Sequence, residues 1–262
     1  MQNKNVDIYV FSGTGNTLLI AKKISDVLNE NSCFSKVHRM EGVNPAEINL
    51  NSTIGIGFTV ACWNTYPFVR KWIDSLPDGK GAEVFLFDSM GDSSLKMIAH
   101  IGKILQKKDY AVIASAEFIM PNNFLLVEND NKKTLKLSKT LPKVENFAKS
   151  IAENNSSKVK PTIISSLFFI LTTFVISLWK TKFSQKIAKF QLDKNKCTKC
   201  AICSEICPVE NIKMNGGYPA FSTKCQFCLR CVSFCPQKAI ISRFLYKNKT
   251  HTGLPLGDIK WK

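Results

Sequence analysis

Apolar positions in the first part of the chain switch repeatedly between two periods. Asp7–Phe11 is a short β-rich run, Thr53–Val60 is β-branched and apolar, and Glu83–Phe87 and Ala111–Phe118 read as further strands. Between them, Thr17–Leu28, Phe68–Leu76 and Leu95–Gln106 carry helical spacing, and Thr134–Ala152 reads as a helix interrupted by Pro142. Strands alternating with helices predict an α/β domain over residues 1–155, a doubly wound parallel sheet covered on both faces.

Residues 156–191 have a different pattern. A polar stretch, typical of a linker, precedes an uncharged run from Thr162 to Trp179. As a helix this run would be about 27 Å long, just short of a bilayer core. Apolar residues at 163, 164, 167, 168, 170, 171, 174, 175, 178 and 179 form one stripe, continued by Phe183, Ile187 and Phe190. Ser and Thr at 165, 166, 172, 173 and 177 fall opposite. That amphipathic pattern predicts one buried face, so a helix packed between domains is expected. A peripheral contact of residues 162–190 with a membrane surface and a true span are the alternatives.

The third part, residues 192–262, is dominated by cysteine. Eight of the ten cysteines lie between 197 and 235, in two runs related by a 28-residue repeat. Cys197, Cys200, Cys203 and Cys207 map onto Cys225, Cys228, Cys231 and Cys235, each run reading C-x2-C-x2-C-x3-C-P. Closed zinc sites use C-x2-C pairs, usually with longer gaps between the pairs, so the spacing argues for iron–sulfur cubes instead. It is the spacing of bacterial two-cluster ferredoxins, in which the fourth cysteine of each run ligates the other cluster. By that crossing, Cys197, Cys200, Cys203 and Cys235 are expected to hold one [4Fe–4S] cluster, and Cys207, Cys225, Cys228 and Cys231 the second. Residues 192–240 thus resemble a bacterial 2[4Fe–4S] ferredoxin, including the Cys-Pro turns at 207–208 and 235–236.

Near the start, Ser12-Gly13-Thr14-Gly15-Asn16-Thr17 follows a strand and opens a helix. Free backbone N–H groups, short hydroxyls and a helix N-terminus suit a phosphate. The loop lacks the Lys of a P-loop and the G-x-G-x-x-G of a dinucleotide site. It resembles the FMN phosphate loop of flavodoxins. That resemblance implies a flavodoxin-like sheet and a flavin ring held by the loops after the third and fourth strands, where Trp63 is the candidate stacking residue and Gly91 lies in the second loop. A flavodoxin-like half followed by a two-cluster ferredoxin half resembles the flavodoxin–ferredoxin fusion proteins of anaerobic bacteria.

The 262 residues carry a net charge of +16, distributed unevenly. Residues 1–179 hold 20 basic and 16 acidic side chains, a surplus of +4; residues 180–262 hold 16 and 4, a surplus of +12. Two anionic clusters offset part of that surplus. With no Arg-rich helix or stacking platform in view, a nucleic-acid partner is not expected. Acidic redox proteins are the expected partners. The opening residues do not read as a secretory signal, and dense cysteine without one points to a reducing, cytoplasmic setting, with membrane association a further expectation.

The expected activity is electron transfer between two [4Fe–4S] clusters and FMN. The alternatives are a flavin-dependent reductase acting on a small substrate near Trp63, and a ferredoxin whose N-terminal domain has lost FMN and only docks partners. No Ser/His/Asp signature or carboxylate pair argues for other catalysis.

Overall fold

The computed structural model describes residues 4–123, 127–155, 157–178, 190–242 and residue 253. Five parallel strands form the first sheet: β1 (Lys4–Val10), β2 (Cys33–Arg39), β3 (Thr53–Thr59), β4 (Glu83–Met90) and β5 (Ala111–Ile119), in the order β2-β1-β3-β4-β5. That is the flavodoxin-like order, with its switch point between β1 and β3. Helices α1 (Asn16–Glu30) and α4 (Asp130–Ala152) cover one face, where Val6, Ile8, Val10, Phe85 and Phe87 meet Leu18, Ile24, Val144 and Ala148. Helices α2 (Pro67–Asp74) and α3 (Met97–Lys107) cover the other, where Tyr9, Ile54, Ile56, Val84 and Leu86 meet Val69, Ile73, Ile98 and Ile101. The central strands are apolar on both sides because both sides are buried.

Two elements differ from the pattern reading. Strand β2, Cys-Phe-Ser-Lys-Val-His-Arg, escapes a search for apolar runs because it is an edge strand whose side chains are mostly half-buried or exposed. Helix α4 begins at Asp130, where the Asn129 carboxamide oxygen accepts from the Lys132 N–H at 2.9 Å, and it continues unbroken through Pro142. Packing of Thr140, Val144 and Ala148 on the sheet overrides the missing hydrogen bond.

Helix α5 (Ile163–Leu178) is the larger correction. The apolar stripe does not face the protein. Ser165 is buried, with its Oγ 3.2 Å from His100 Nε2, and Phe169 stacks on the His100 ring at 4.6 Å. Asn64 Nδ2 donates to the Thr172 and Thr173 hydroxyls. Polar residues and Phe169 therefore bind the first domain, while Ile163, Ile164, Leu167, Ile170, Leu171 and Phe174 point outward. Among the described residues no helix is long and apolar enough to cross a membrane. Trp179, Phe183 and Ile187, and the side chains of Val175 and Leu178, lie outside the described residues.

The C-terminal part is small. Strand β6 (Phe190–Leu192) pairs antiparallel with β9 (Ile240–Ser242), and β7 (Ile212–Asn215) with β8 (Tyr218–Phe221) through a Gly216-Gly217 turn. One-turn helices α6 (Ile202–Glu205) and α7 (Arg230–Ser233) follow the third-from-last cysteines of the two runs, 28 residues apart. The backbone repeats as faithfully as the sequence. Lys199, Ala201 and Glu210 have positive φ of 59°, 61° and 49°; Phe227, Leu229 and Lys238 have 59°, 61° and 49°.

Candidate functional site: two cysteine cages against a phosphate loop

The left-handed residues of each run curl the chain around its cysteines. Cys197, Cys200, Cys203 and Cys235 line one cavity, and Cys207, Cys225, Cys228 and Cys231 line the other. Each cavity thus takes three thiols from one run and one from its repeat. Among the described residues, no group of three or more His, Cys, Asp or Glu side chains converges as ligands of a single ion would. Backbone N–H groups already point at sulfur: Asn211 to Cys207 at 3.2 Å, Ala239 to Cys235 at 3.3 Å and Phe227 to Cys225 at 3.4 Å. Such donors stabilise charge on a bound cluster and raise its potential. Burial pushes the Cys203 and Cys228 thiols up to about 11, and Cys231 well above the usual thiol value. Burial therefore makes these thiols hold their protons more tightly than a free thiol, and cluster assembly would have to release them. All ten cysteines are free of disulfides.

The Ser12–Thr17 loop leaves β1 and enters α1 through Gly15, whose φ is +96°. Its side chains are largely committed to closing the site. Ser12 Oγ accepts from the Gly15 N–H at 3.0 Å. The Thr17 hydroxyl lies 2.8 Å from that of Thr59 and 2.7 Å from that of Ser89, tying together the ends of β3 and β4. Asn16 Nδ2 donates to the Pro121 carbonyl at 2.9 Å, and Asn123 Nδ2 donates to the Thr14 hydroxyl. Two buried oxygens here, Asn16 Oδ1 and Asn123 Oδ1, have no hydrogen-bond partner among the described residues. The backbone of a glycine-rich turn at the N-terminus of a fifteen-residue helix is the element here that suits an anion. That donor set fits a phosphate monoester. Its mouth is covered, however: the Gly253 N–H donates to the Thr14 carbonyl at 2.9 Å, and a Cβ on residue 253 would lie 2.7 Å from the Asn16 nitrogen.

Trp63 stands half-exposed on the loop after β3, with φ of +56° and its ring edge-on to Phe168 of α5 at 6.4 Å. Gly91 is on the neighbouring loop after β4, its carbonyl accepting from Lys136 Nζ at 2.7 Å. The two loops leave the sheet side by side, joined by the Val60 N–H donating to the Ser89 carbonyl. Below them Asp88 is fully buried, with neither carboxyl oxygen hydrogen-bonded among the described residues. Burial first, and the charge of Glu117 second, push its carboxyl well above the usual range.

The second cysteine cavity and the Ser12–Thr17 loop touch. A Cβ built on Gly13 would lie 2.5 Å from the Cys228 carbonyl oxygen. From α7, between Cys228 and Cys231, Arg230 enters the first domain and is 1% exposed. Its Nε and Nη2 donate to the Ser12 carbonyl at 3.2 and 2.8 Å, and its Nη1 donates to the Ile206 carbonyl at 3.1 Å and to Glu41. The guanidinium lies over the Phe11 ring, 5.1 Å from its centre. Arg39 reaches the same Glu41 oxygen at 3.3 Å, and burial, then the charge of Arg230, pull Arg39 down to about 10. The Phe68 N–H donates to Gln226 Oε1 at 3.0 Å, and Tyr66 is packed beside Cys228, its hydroxyl pushed up mainly by burial. Sequence reading missed Arg230, Glu41, Tyr66 and Gln226. One signal was available: the repeat pairs Arg230 with Ile202, and a charged residue breaking an otherwise close repeat asks for a partner outside it.

Residues 183–240 match a protein family described as a 4Fe-4S dicluster domain. Over 48 residues the chain is 38% identical to the delta subunit of NADH-dependent phenylglyoxylate dehydrogenase from Aromatoleum evansii. That segment is 18% of this chain and 52% of the relative, so the chain spans about half the length of the curated relative it matches. Similar solved structures include flavodoxin 2 from Bacillus cereus (20% identity, TM-score 0.43, 57% of this chain and 98% of that one). The Megasphaera elsdenii flavodoxin gives 22%, 0.40, 53% and 98%. An archaeal flavodoxin gives 17%, 0.42, 58% and 98%. A parallel sheet of flavodoxin-like strand order is joined in one chain to a segment that matches a 4Fe-4S dicluster domain.

Proposed function

We propose that this chain is an electron-transfer protein in which two [4Fe–4S] clusters exchange electrons with FMN held on the N-terminal domain. The observation that carries the reading is the contact between the two halves: the carbonyl of Cys228 closes over Gly13, and Arg230 clamps the loop at Ser12. Cys207, Cys225, Cys228 and Cys231 would hold the cluster nearer the flavin, and Cys197, Cys200, Cys203 and Cys235 the cluster nearer solvent. FMN, when bound, supplies a centre that takes up two electrons and releases them singly. The chain's own residues do the rest. The Ser12–Thr17 backbone and the α1 N-terminus bind the phosphate. Trp63 offers a flat apolar face to the ring, and Gly91 lies on the neighbouring loop. The basic surplus of the second half favours docking of acidic redox proteins, faster at low ionic strength. The dehydrogenase subunit among its relatives suggests a role delivering electrons to a larger enzyme in the cytoplasm.

A second reading is favoured by one observation, that Gly253 and Cys228 together cover the loop. In it the first domain binds no flavin and serves to dock partners. Anaerobic purification followed by iron, sulfide and FMN analysis separates the two. About eight irons per chain with one FMN, either bound or taken up on titration, supports the first. The same iron with no FMN uptake refutes it and leaves the docking reading.

A further inference from the structure

Helix α5 presents most of its described apolar side chains to the outside and is held in that orientation. Ser165 on His100, Phe169 stacked on the same ring, and Thr172 and Thr173 on Asn64 fix its inner face. Rotating the stripe inward would break every one of these contacts. The outward residues Ile163, Ile164, Leu167, Ile170, Leu171 and Phe174 are 56% to 83% exposed. A contiguous apolar face of this kind, on one helix, marks an interaction surface.

Charge identifies the occupant. From Asn154 to Leu192 the sequence has no Asp or Glu and six lysines: Lys158 and Lys160 before the helix, Lys180, Lys182, Lys186 and Lys189 after it. Lys158 and Lys160 are exposed. A second copy pairing through the same stripe would bring lysines against lysines, with no carboxylate in the segment to meet them. An anionic lipid surface satisfies both the apolar stripe and the basic flanks.

We propose that α5 docks the protein on an anionic membrane surface, lying in the headgroup region with its apolar stripe inserted and Lys158 and Lys160 against lipid phosphates. The helix does not span. Its inner face stays on the first domain, which remains on one side of the bilayer with the clusters. This inference stands whether or not the protein binds FMN.

The test is flotation of the cluster-loaded full chain with vesicles of phosphatidylcholine alone and of phosphatidylcholine mixed with phosphatidylglycerol. Binding is expected to the mixed vesicles, weakening as salt is raised. The variant carrying Ile164→Gln, Leu167→Gln and Leu171→Gln, all at exposed positions, should partition at least about tenfold less, with its iron content unchanged. Lys158→Glu with Lys160→Glu should lower partition into the mixed vesicles by about tenfold or more and leave the neutral vesicles unaffected. The proposal is overturned if the parent chain partitions no better than the triple-Gln variant, or equally into both kinds of vesicle. It is also overturned if sedimentation velocity shows a dimer that the triple variant abolishes while vesicle binding is absent; the stripe would then belong to a second copy.

Discussion

Replacing Arg230 with methionine tests the joint between the two halves. Methionine keeps the aliphatic bulk between Phe11 and α7 and removes the guanidinium. Four donated contacts disappear: two on the Ser12 carbonyl, one on Ile206 and one on Glu41. Removing one partner of a fully buried ion pair costs roughly 3–5 kcal/mol, because the other charge is left uncompensated. Here Glu41 keeps Arg39 at 3.3 Å, and relief of the Arg39–Arg230 repulsion offsets part of the loss. The orphaned Ser12 carbonyl adds a cost of its own. The expected loss is therefore at the lower end, about 3 kcal/mol. Anaerobic urea unfolding, followed by cluster absorbance and by tryptophan fluorescence, reads it. Iron analysis must show the clusters retained, since Arg230 sits between two candidate ligands. In a double-mutant cycle, Glu41→Gln should couple to Arg230→Met by about 1–2 kcal/mol. A loss below about 0.5 kcal/mol with iron retained would refute the assignment of this side chain as the clamp.

Other outcomes follow from single contacts. Gly13→Ala meets the Cys228 carbonyl at 2.5 Å and should loosen the joint by about 1–3 kcal/mol while leaving iron content intact, measured by the same unfolding curves. Under the crossed arrangement, Cys235→Ser should disturb the cluster of the first run and Cys207→Ser that of the second; electron paramagnetic resonance of the reduced variants distinguishes them, and an uncrossed pattern would reverse the result. Asp88 has a raised carboxyl, so the folded state binds its proton more tightly than the unfolded one, and wild-type stability drains away as pH rises from the unfolded value toward the folded one. Asp88→Asn should remove that slope, and urea midpoints in acid and neutral buffers check it. A chain ending at residue 242 lacks the Gly253 contact on Thr14 and should bind FMN about fivefold more tightly by fluorescence titration, the equivalent of one hydrogen bond.

Local chemistry made much of this protein legible. Cysteines at fixed spacing determine their own cages, because the ligands and the tight backbone between them lie within a few residues; the 28-residue repeat reappears in the dihedral angles of Lys199, Ala201 and Glu210 and their counterparts. Alternating strand and helix periods determined the parallel sheet, because a segment buried on both faces must be apolar at nearly every position. The Ser12–Thr17 loop was legible as a strand-to-helix turn, since glycines there permit the tight backbone the junction needs.

What only the tertiary structure decided concerns partners far apart in the chain. Periodicity showed that α5 has an apolar side and a polar side, but not which one the protein would take. Asn64 and His100, distant in sequence, supply partners for its Thr and Ser groups, and so the apolar side was left outward. Edge strand β2 carries too little buried surface to mark itself. The approach of Cys228 to Gly13 and the burial of Arg230 span more than 200 residues of chain. No local pattern encodes such a contact, because its energy depends on both surfaces being folded first.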